Sequence, residues 1–111
     1  MKTAQLLVVL ALFSCFTACD PGDCPEGSTV GWADVEPLFT EHCVACHAST
    51  LSGDERLDAP VGYDYDTIEV AREHPNWTWA EVKLGHMPPA GALGEQDQEL
   101  IRAWLACGGP E

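Results

Sequence analysis

The stretch EHCVACHAST, residues 41–50, is the most informative part of this chain, because it holds two cysteines three positions apart with a histidine directly after the second. Three chemistries use such a spacing: a zinc site, a redox-active dithiol and the covalent attachment of a haem. A zinc site needs four ligands, and neither Cys24 nor Cys107 forms a second closely spaced pair. A thioredoxin-like dithiol needs a βαβ context, which the sequence does not offer.

The spacing of the motif suits a position at the end of a helix. Cys43, Cys46 and His47 would then share one face, because residues at i, i+3 and i+4 are neighbours on a helix. A haem attachment requires this arrangement, since two thiols add to two vinyl groups while the adjacent imidazole faces the iron. C-x-x-C-H is the signature of c-type haem attachment, although the pattern alone leaves the zinc and dithiol interpretations open.

The composition limits what the chain can bind. The 111 residues allow one domain, and 5 basic residues against 18 acidic ones give a net charge of −13. This charge argues against binding to nucleic acid or anionic lipid headgroups by electrostatic attraction. A domain of this size has a small core, so a staple, a metal or a prosthetic group is expected.

The first 18 residues have the layout of a secretory signal peptide, with Lys2 followed by the apolar run 6–13 and then small residues. The run is well short of the roughly 20 residues that span a membrane. The sequence FTAC resembles a bacterial lipobox, which implies cleavage before Cys19 and lipidation of that residue. Cys15 is a competing position, and ordinary cleavage with free secretion is the other alternative. Cleavage before Cys19 leaves a net charge of −14, because Lys2 is the charged residue removed.

Residues 19–31 are rich in Gly, Pro and Asp and are expected to form a tether, followed by a domain over 32–111. The first helix is expected to begin near Asp34, a good N-cap, with Pro37 in its first turn. Its apolar face follows the spacing i, i+3, i+4 and i+7: Val35, Leu38, Phe39 and His42.

Three further helices are expected downstream. One covers Thr67–His74 and is stopped by Pro75. The next begins with a capping box formed by Thr78 and Glu81. The last covers Glu95–Cys107, with acidic residues in its first turn and a Gly-Gly-Pro stop. No strand pattern is present, so the sequence predicts an all-α domain with substantial loops.

Met87 supplies what the haem interpretation needs on the opposite side of the iron. It is the one methionine besides Met1, and it lies in the loop sequence GHMPPAG. Methionine and histidine together are a recognised pair of axial haem ligands. His86 is the rival, which would give bis-histidine ligation and a lower potential, and His74 or His42 are more remote rivals.

Taken together, WADVEPLFTEHCVACH, GYDYDT, LGHMPPAGA and LIRAWLACGGP resemble a class I cytochrome c domain of the bacterial lipoprotein variety. The resemblance covers most of residues 30–110 in the family's order. It implies a small cytochrome c fold, in which the N- and C-terminal helices cross and shorter helices and loops surround one covalently bound haem c. Trp104 would pack where the terminal helices cross.

The resemblance also implies the roles of the site residues. Cys43 and Cys46 would form the thioethers, His47 would be the proximal iron ligand and Met87 the distal one. The departures from the family pattern are the short chain, the extra Cys107 and the histidine directly before Met87. For the haem propionates, Arg56, Arg72 and Lys83 are the candidate partners.

Because the terminal helices cross in that fold, Cys24 and Cys107 are expected to come close and to form a disulfide in an oxidising compartment. Closing a loop of roughly 80 residues would stabilise the protein by about 4 kcal/mol on the chain-entropy model. Two free, partly buried thiols are the alternative.

The expected function is that of an electron carrier rather than an enzyme, because two protein ligands leave no open position on the iron. The protein would be lipid-anchored in a bacterial cell envelope, facing the periplasm or the exterior, and would exchange electrons with redox partner proteins. One alternative is a haem sensor or peroxidase-like module with a displaceable Met87. Another is a disulfide-stabilised interaction lipoprotein without haem.

Overall fold

The computed structural model describes residues 20–111, so the expected signal peptide and both lipidation candidates, Cys15 and Cys19, lie outside the described residues. Between residues 20 and 111 the chain is helical and contains no strand, which confirms the all-α prediction for this part. No helix in the same range is long and apolar enough to cross a membrane. The elements are α1 (Trp32–His42), a 3-10 helix (Gly53–Arg56), α2 (Ile68–Ala71), α3 (Pro75–Lys83) and α4 (Glu95–Ala106).

The core lies where α4 packs against α1 and α3. Val35 and Phe39 of α1 and Ile101 and Trp104 of α4 are all 0–1% exposed. The rings of Phe39 and Trp104 meet edge to face with centroids 5.7 Å apart, an arrangement that aromatic pairs favour. The two terminal helices are therefore joined by their largest fully buried side chains.

The start of α1 differs from the prediction. Asp34 is not the N-cap but the third residue of the helix, and Gly31 is the N-cap. The Asp34 carboxylate accepts the backbone N–H of Gly31 at 2.8 Å, so it reaches back as the acidic half of a capping box. Pro37 lies inside the helix, which forgoes one backbone hydrogen bond there because proline has no N–H.

The central helices also differ from the prediction. The helix expected over 67–74 covers only Ile68–Ala71, and Pro75 begins α3 instead of stopping the helix before it. Proline suits the first helical position, where its missing N–H has no intrahelical partner. Thr78 is not a cap but a buried residue within α3, and its Oγ1 lies 2.7 Å from the hydroxyl of Tyr65.

The segment expected as a tether is in contact with α4 from Pro21 onward. Pro21 is buried, and its carbonyl accepts a hydrogen bond from Arg102 at 2.7 Å. Cys24 and Cys107 form a disulfide with their Cα atoms 4.6 Å apart, which confirms the predicted pairing. Cys107 caps α4, which ends one residue earlier than predicted.

The C-terminal residues fold back over the same helix. Gly109 has a φ of +67°, and a Cβ built there would lie 2.5 Å from the Cβ of Arg72, so only glycine fits. Its N–H donates to the carbonyl of Trp104 at 2.9 Å, and the Trp104 indole N–H donates to the carbonyl of Pro110 at 2.8 Å. These contacts cover the buried face of Trp104.

Candidate functional site

The C-x-x-C-H motif lies in a tight turn directly after α1. The N–H groups of Cys43 and Val44 both donate to the carbonyl of Phe39, at 2.9 and 3.1 Å. The N–H groups of Cys46 and His47 then donate to the carbonyl of Cys43, at 3.2 and 2.9 Å. The turn thus leaves the regular helix but keeps its winding, and Cys43, Cys46 and His47 all line one cleft.

The imidazole of His47 is buried and held in one orientation. Its Nδ1 lies 2.6 Å from the carbonyl oxygen of Tyr63. A carbonyl oxygen only accepts, so Nδ1 is the donor in this bond, and in the neutral imidazole Nε2 is then the nitrogen with the lone pair. The ring of Tyr65 meets the imidazole edge to face at 5.4 Å. Metal-binding histidines are typically fixed in this way, with the second ring nitrogen donating to a carbonyl or carboxylate.

The cleft has a volume of about 430 Å³, which is within the range of roughly 300–1,000 Å³ typical of small-molecule and cofactor sites. Apart from the motif, its walls come from the end of α1, residues 57–60, Tyr65, α3 and residues 87–89. Most of the lining is apolar, and its apolar and aromatic side chains include Phe39, Leu57, Tyr65, Trp77, Val82 and Pro88.

Met87 lines the same cleft as His47, and its rival His86 does not. The backbone N–H groups of His86 and Met87 both donate to the carbonyl of Glu81 at the end of α3, at 3.0 and 3.1 Å. The side chain of His86 is 62% exposed, and its Nδ1 lies 3.5 Å from the Glu81 carboxylate. The loop therefore brings the thioether to the cleft and turns the neighbouring imidazole toward solvent.

Of the two remaining candidate ligands, His42 lines the cleft and His74 does not. His42, at the end of α1, lines the cleft, and its Nε2 lies 3.6 Å from the Glu41 carboxylate. His74 is not on the cleft lining, and its ring stacks on the ring of Tyr63 with centroids 4.2 Å apart.

The thiol of Cys43 does not have the lowered pKa of a reactive cysteine. Burial raises the pKa of the free Cys43 thiol to about 12. Reactive C-x-x-C cysteines have a lowered pKa, because the thiolate is the nucleophile. Within residues 20–111, no group of three or more His, Cys, Asp or Glu side chains is arranged to hold one metal ion.

The basic residues proposed as propionate partners lie elsewhere. Arg56 is buried behind the cleft wall, Arg72 donates to the carbonyl of Gly109 at 3.2 Å, and Lys83 is exposed. None of these three lines the cleft, whose charged lining residues include Asp58 and Glu81. The sequence also gave no indication of the Tyr63 carbonyl, because a backbone acceptor carries no side-chain signature.

A scan against protein-family models finds no matching family, and searches of the curated proteins and of the solved structures find no match either. A buried imidazole with a free Nε2, a thioether sulfur, two thiols and apolar walls around one cleft fit a covalently attached haem.

Proposed function

We propose that this chain is a monohaem class I c-type cytochrome that carries single electrons in a bacterial cell envelope. The observation that carries the proposal is the orientation of His47. Its Nδ1 is committed to the Tyr63 carbonyl, which leaves Nε2 free in a cleft that Cys43, Cys46 and Met87 also line. This combination of donors is the one that a covalently bound, Met/His-ligated haem requires.

Each residue has a defined part in this proposal. Cys43 and Cys46 hold the haem through thioether bonds, His47 is the proximal iron ligand and Met87 the distal one. The haem, when bound, supplies a one-electron couple between ferric and ferrous iron. With His47 and Met87 both bound to the iron, no position would be open to a substrate, so the protein would carry electrons rather than act as an enzyme.

Part of the cleft wall is apolar and closed to solvent. Phe39 and Val82 are at most 4% exposed, and Tyr65 is held in place by its bond to Thr78. An apolar, rigid surrounding is one of the means by which proteins set a haem potential. Asp58 and Glu81 add carboxylates to the lining, and negative charge near the iron favours the ferric state.

The location in the envelope rests on the sequence before the domain and on the disulfide. The signal peptide and lipobox support export and lipidation at Cys19, with Cys15 as the competing site. The Cys24–Cys107 disulfide supports an oxidising compartment, because such bonds persist outside the cytosol. The membrane contact is thus the lipid anchor, and the partners are redox proteins.

Optical spectroscopy of the full chain, produced with a c-type maturation system, tests the proposal. The haem should resist extraction by acid acetone, because two thioethers hold it, and Cys43→Ala with Cys46→Ala should abolish attachment. The ferric protein should show a far-red band from sulfur-to-iron charge transfer. Met87→Ala should remove that band, and the matched neighbour variant His86→Ala should retain it.

Two results would favour the alternatives. Ready binding of carbon monoxide by the reduced wild-type protein at neutral pH would indicate a displaceable Met87, and so a haem sensor or peroxidase-like module. Recovery of the matured protein without covalent haem would instead leave a disulfide-stabilised lipoprotein interaction module.

A further inference from the structure

Arg56, at the end of the 3-10 helix, is 3% exposed and does not line the cleft. An arginine side chain carries five N–H donors, and all five have acceptors. Four of the acceptors are backbone carbonyls: Nε donates to Ala59 at 3.1 Å, Nη1 to Ala48 at 2.8 Å and Leu51 at 3.3 Å, and Nη2 to Pro60 at 2.9 Å. The fifth acceptor is the carboxylate of Asp64, which also accepts from Nη2.

The chain between residues 48 and 64 is wrapped around this one guanidinium. Directly after Arg56, Leu57 and Asp58 have φ angles of +49° and +70°. This left-handed region is unfavourable for residues that have a Cβ. The turn is held on both sides, by Arg56 itself and by the carbonyls of Ala59 and Pro60. Both strained residues line the cleft, so Arg56 shapes one of its walls.

The same guanidinium joins the two segments that hold His47. One of its acceptors is the carbonyl of Ala48, the residue after His47, and another is the carboxylate of Asp64, the residue after Tyr63. Asp64 lies between two residues that grip His47. The Tyr63 carbonyl oxygen is 2.6 Å from Nδ1 of His47. The backbone N–H of Tyr65 donates to the backbone carbonyl of His47 at 2.9 Å.

We infer that Arg56 is a positioning residue for the proximal imidazole, because it holds the Tyr63 carbonyl against His47 Nδ1 through Asp64 and Ala48. The inference rests on the proposed function, in which His47 binds the haem iron. Arg56 touches neither the imidazole nor the cleft, so it acts only through the segment that it organises. A fixed acceptor at Nδ1 fixes the ring plane and the donor strength of Nε2.

The test compares two arginines of the haem-loaded full chain. Arg56→Gln removes the guanidinium that organises residues 48–64, and Arg102→Gln is the matched control. Arg102 also donates to backbone carbonyls, of Pro21 at 2.7 Å and Asp23 at 3.4 Å, and to the Glu99 carboxylate at 2.7 Å. It lies on α4 and not on the cleft lining. Both variants are expected to lower the melting temperature, because each removes several hydrogen bonds to backbone carbonyls.

The deciding readout is the solvent exchange of the His47 Nδ1–H proton, followed by NMR together with the hyperfine shifts of the haem methyl groups. In Arg56→Gln the exchange should accelerate about tenfold, because the Tyr63 carbonyl is no longer held against Nδ1. The pattern of the haem methyl shifts should also differ from that of the wild type. In Arg102→Gln both should match the wild type. Equal exchange rates in Arg56→Gln and Arg102→Gln would overturn the inference.

Two milder variants decide the matter if Arg56→Gln yields no haem protein. Arg56→Lys keeps the charge but loses the planar fork, and Asp64→Asn keeps the shape but loses the charged acceptor. Both should give exchange rates between those of the wild type and a free imidazole, and unchanged rates in both would overturn the inference. Wild-type protein without covalent haem would overturn the proposed function, and this inference with it.

Discussion

The two halves of the molecule are held together in different ways. The terminal region, which comprises α1, α4 and the chain ends, has a closed apolar core in which Ile101 and Trp104 are 0% exposed. The loop region, residues 43–64, is organised by hydrogen bonds to Arg56, and apolar Leu57 at its edge is 73% exposed. The terminal region is stabilised by the burial of its apolar side chains. The loop region is stabilised by hydrogen bonds from Arg56 to its backbone carbonyls.

The difference separates stability from function. A closed apolar core tolerates few changes in shape, and it fixes the distance between the two ends of the chain. The loop region instead places particular atoms, namely the imidazole of His47 and the carbonyl of Tyr63, at the edge of a cleft. We therefore expect substitutions in the terminal region to lower the free energy of unfolding most, and substitutions in the loop region to change the site.

The largest loss of stability is expected from removing the disulfide. The bond joins residues 83 positions apart, and Cys24→Ser with Cys107→Ser should lower the free energy of unfolding by about 4.5 kcal/mol on the chain-entropy model. Guanidinium titration of both proteins without reductant measures the loss. A change below about 1 kcal/mol would mean that packing alone joins the chain ends, which would strengthen the contrast with the loop region.

Two tryptophans compare the regions directly. Trp104 is fully buried in the terminal core, whereas Trp77 on the cleft wall is 51% exposed. Trp104→Ala should lower the free energy of unfolding by about 3–5 kcal/mol, because it removes a large buried side chain and leaves a cavity. Trp77→Ala should cost less than about 1 kcal/mol, as exposed positions do. Equal losses in the two titrations would show that the cleft wall belongs to the same core, and would remove the distinction.

The sequence predicted the terminal region well, because its signals are local. The acidic first turn, the apolar spacing and the glycines after the helix located α4 to within one residue. The errors arose where one residue type has two uses. Asp34 serves as the third helical residue instead of the cap, Pro75 begins a helix instead of ending one, and Thr78 bonds to Tyr65 instead of capping.

The candidate site was predictable only as far as side-chain chemistry is distinctive. Cys43, Cys46, His47 and Met87 carry thiol, imidazole and thioether groups at telling spacings, and all four line one cleft. The Tyr63 carbonyl was not predictable, since every residue has one and the chain must first fold for it to meet His47, which lies 16 positions away. The role of Arg56 depends on the same loop path.

A pH-dependent effect concerns Tyr65, which links the two regions by stacking on Phe39 of the terminal region and by meeting the ring of His47 in the loop region edge to face. Burial raises its pKa from 10.0 to about 12, although the hydrogen bond between the hydroxyls of Tyr65 and Thr78 opposes the shift. The unfolded chain therefore loses this proton first. The contribution to stability is fully present below pH 10 and is lost as the pH rises toward 12, by about 2–3 kcal/mol in total.

Tyr65→Phe isolates this contribution, because phenylalanine has no proton to lose. The free energy of unfolding of the haem-loaded wild type, measured by guanidinium titration at intervals from pH 9 to 12, should fall by more than that of Tyr65→Phe. The haem-loaded form is needed because burial also raises the pKa of the Cys43 thiol to about 12, and a thioether at Cys43 has no proton to lose. Parallel curves for the two proteins would show that Tyr65 is accessible to water when folded. Tyr65 would then belong to the open cleft wall, and the boundary between the two regions would lie nearer to Phe39.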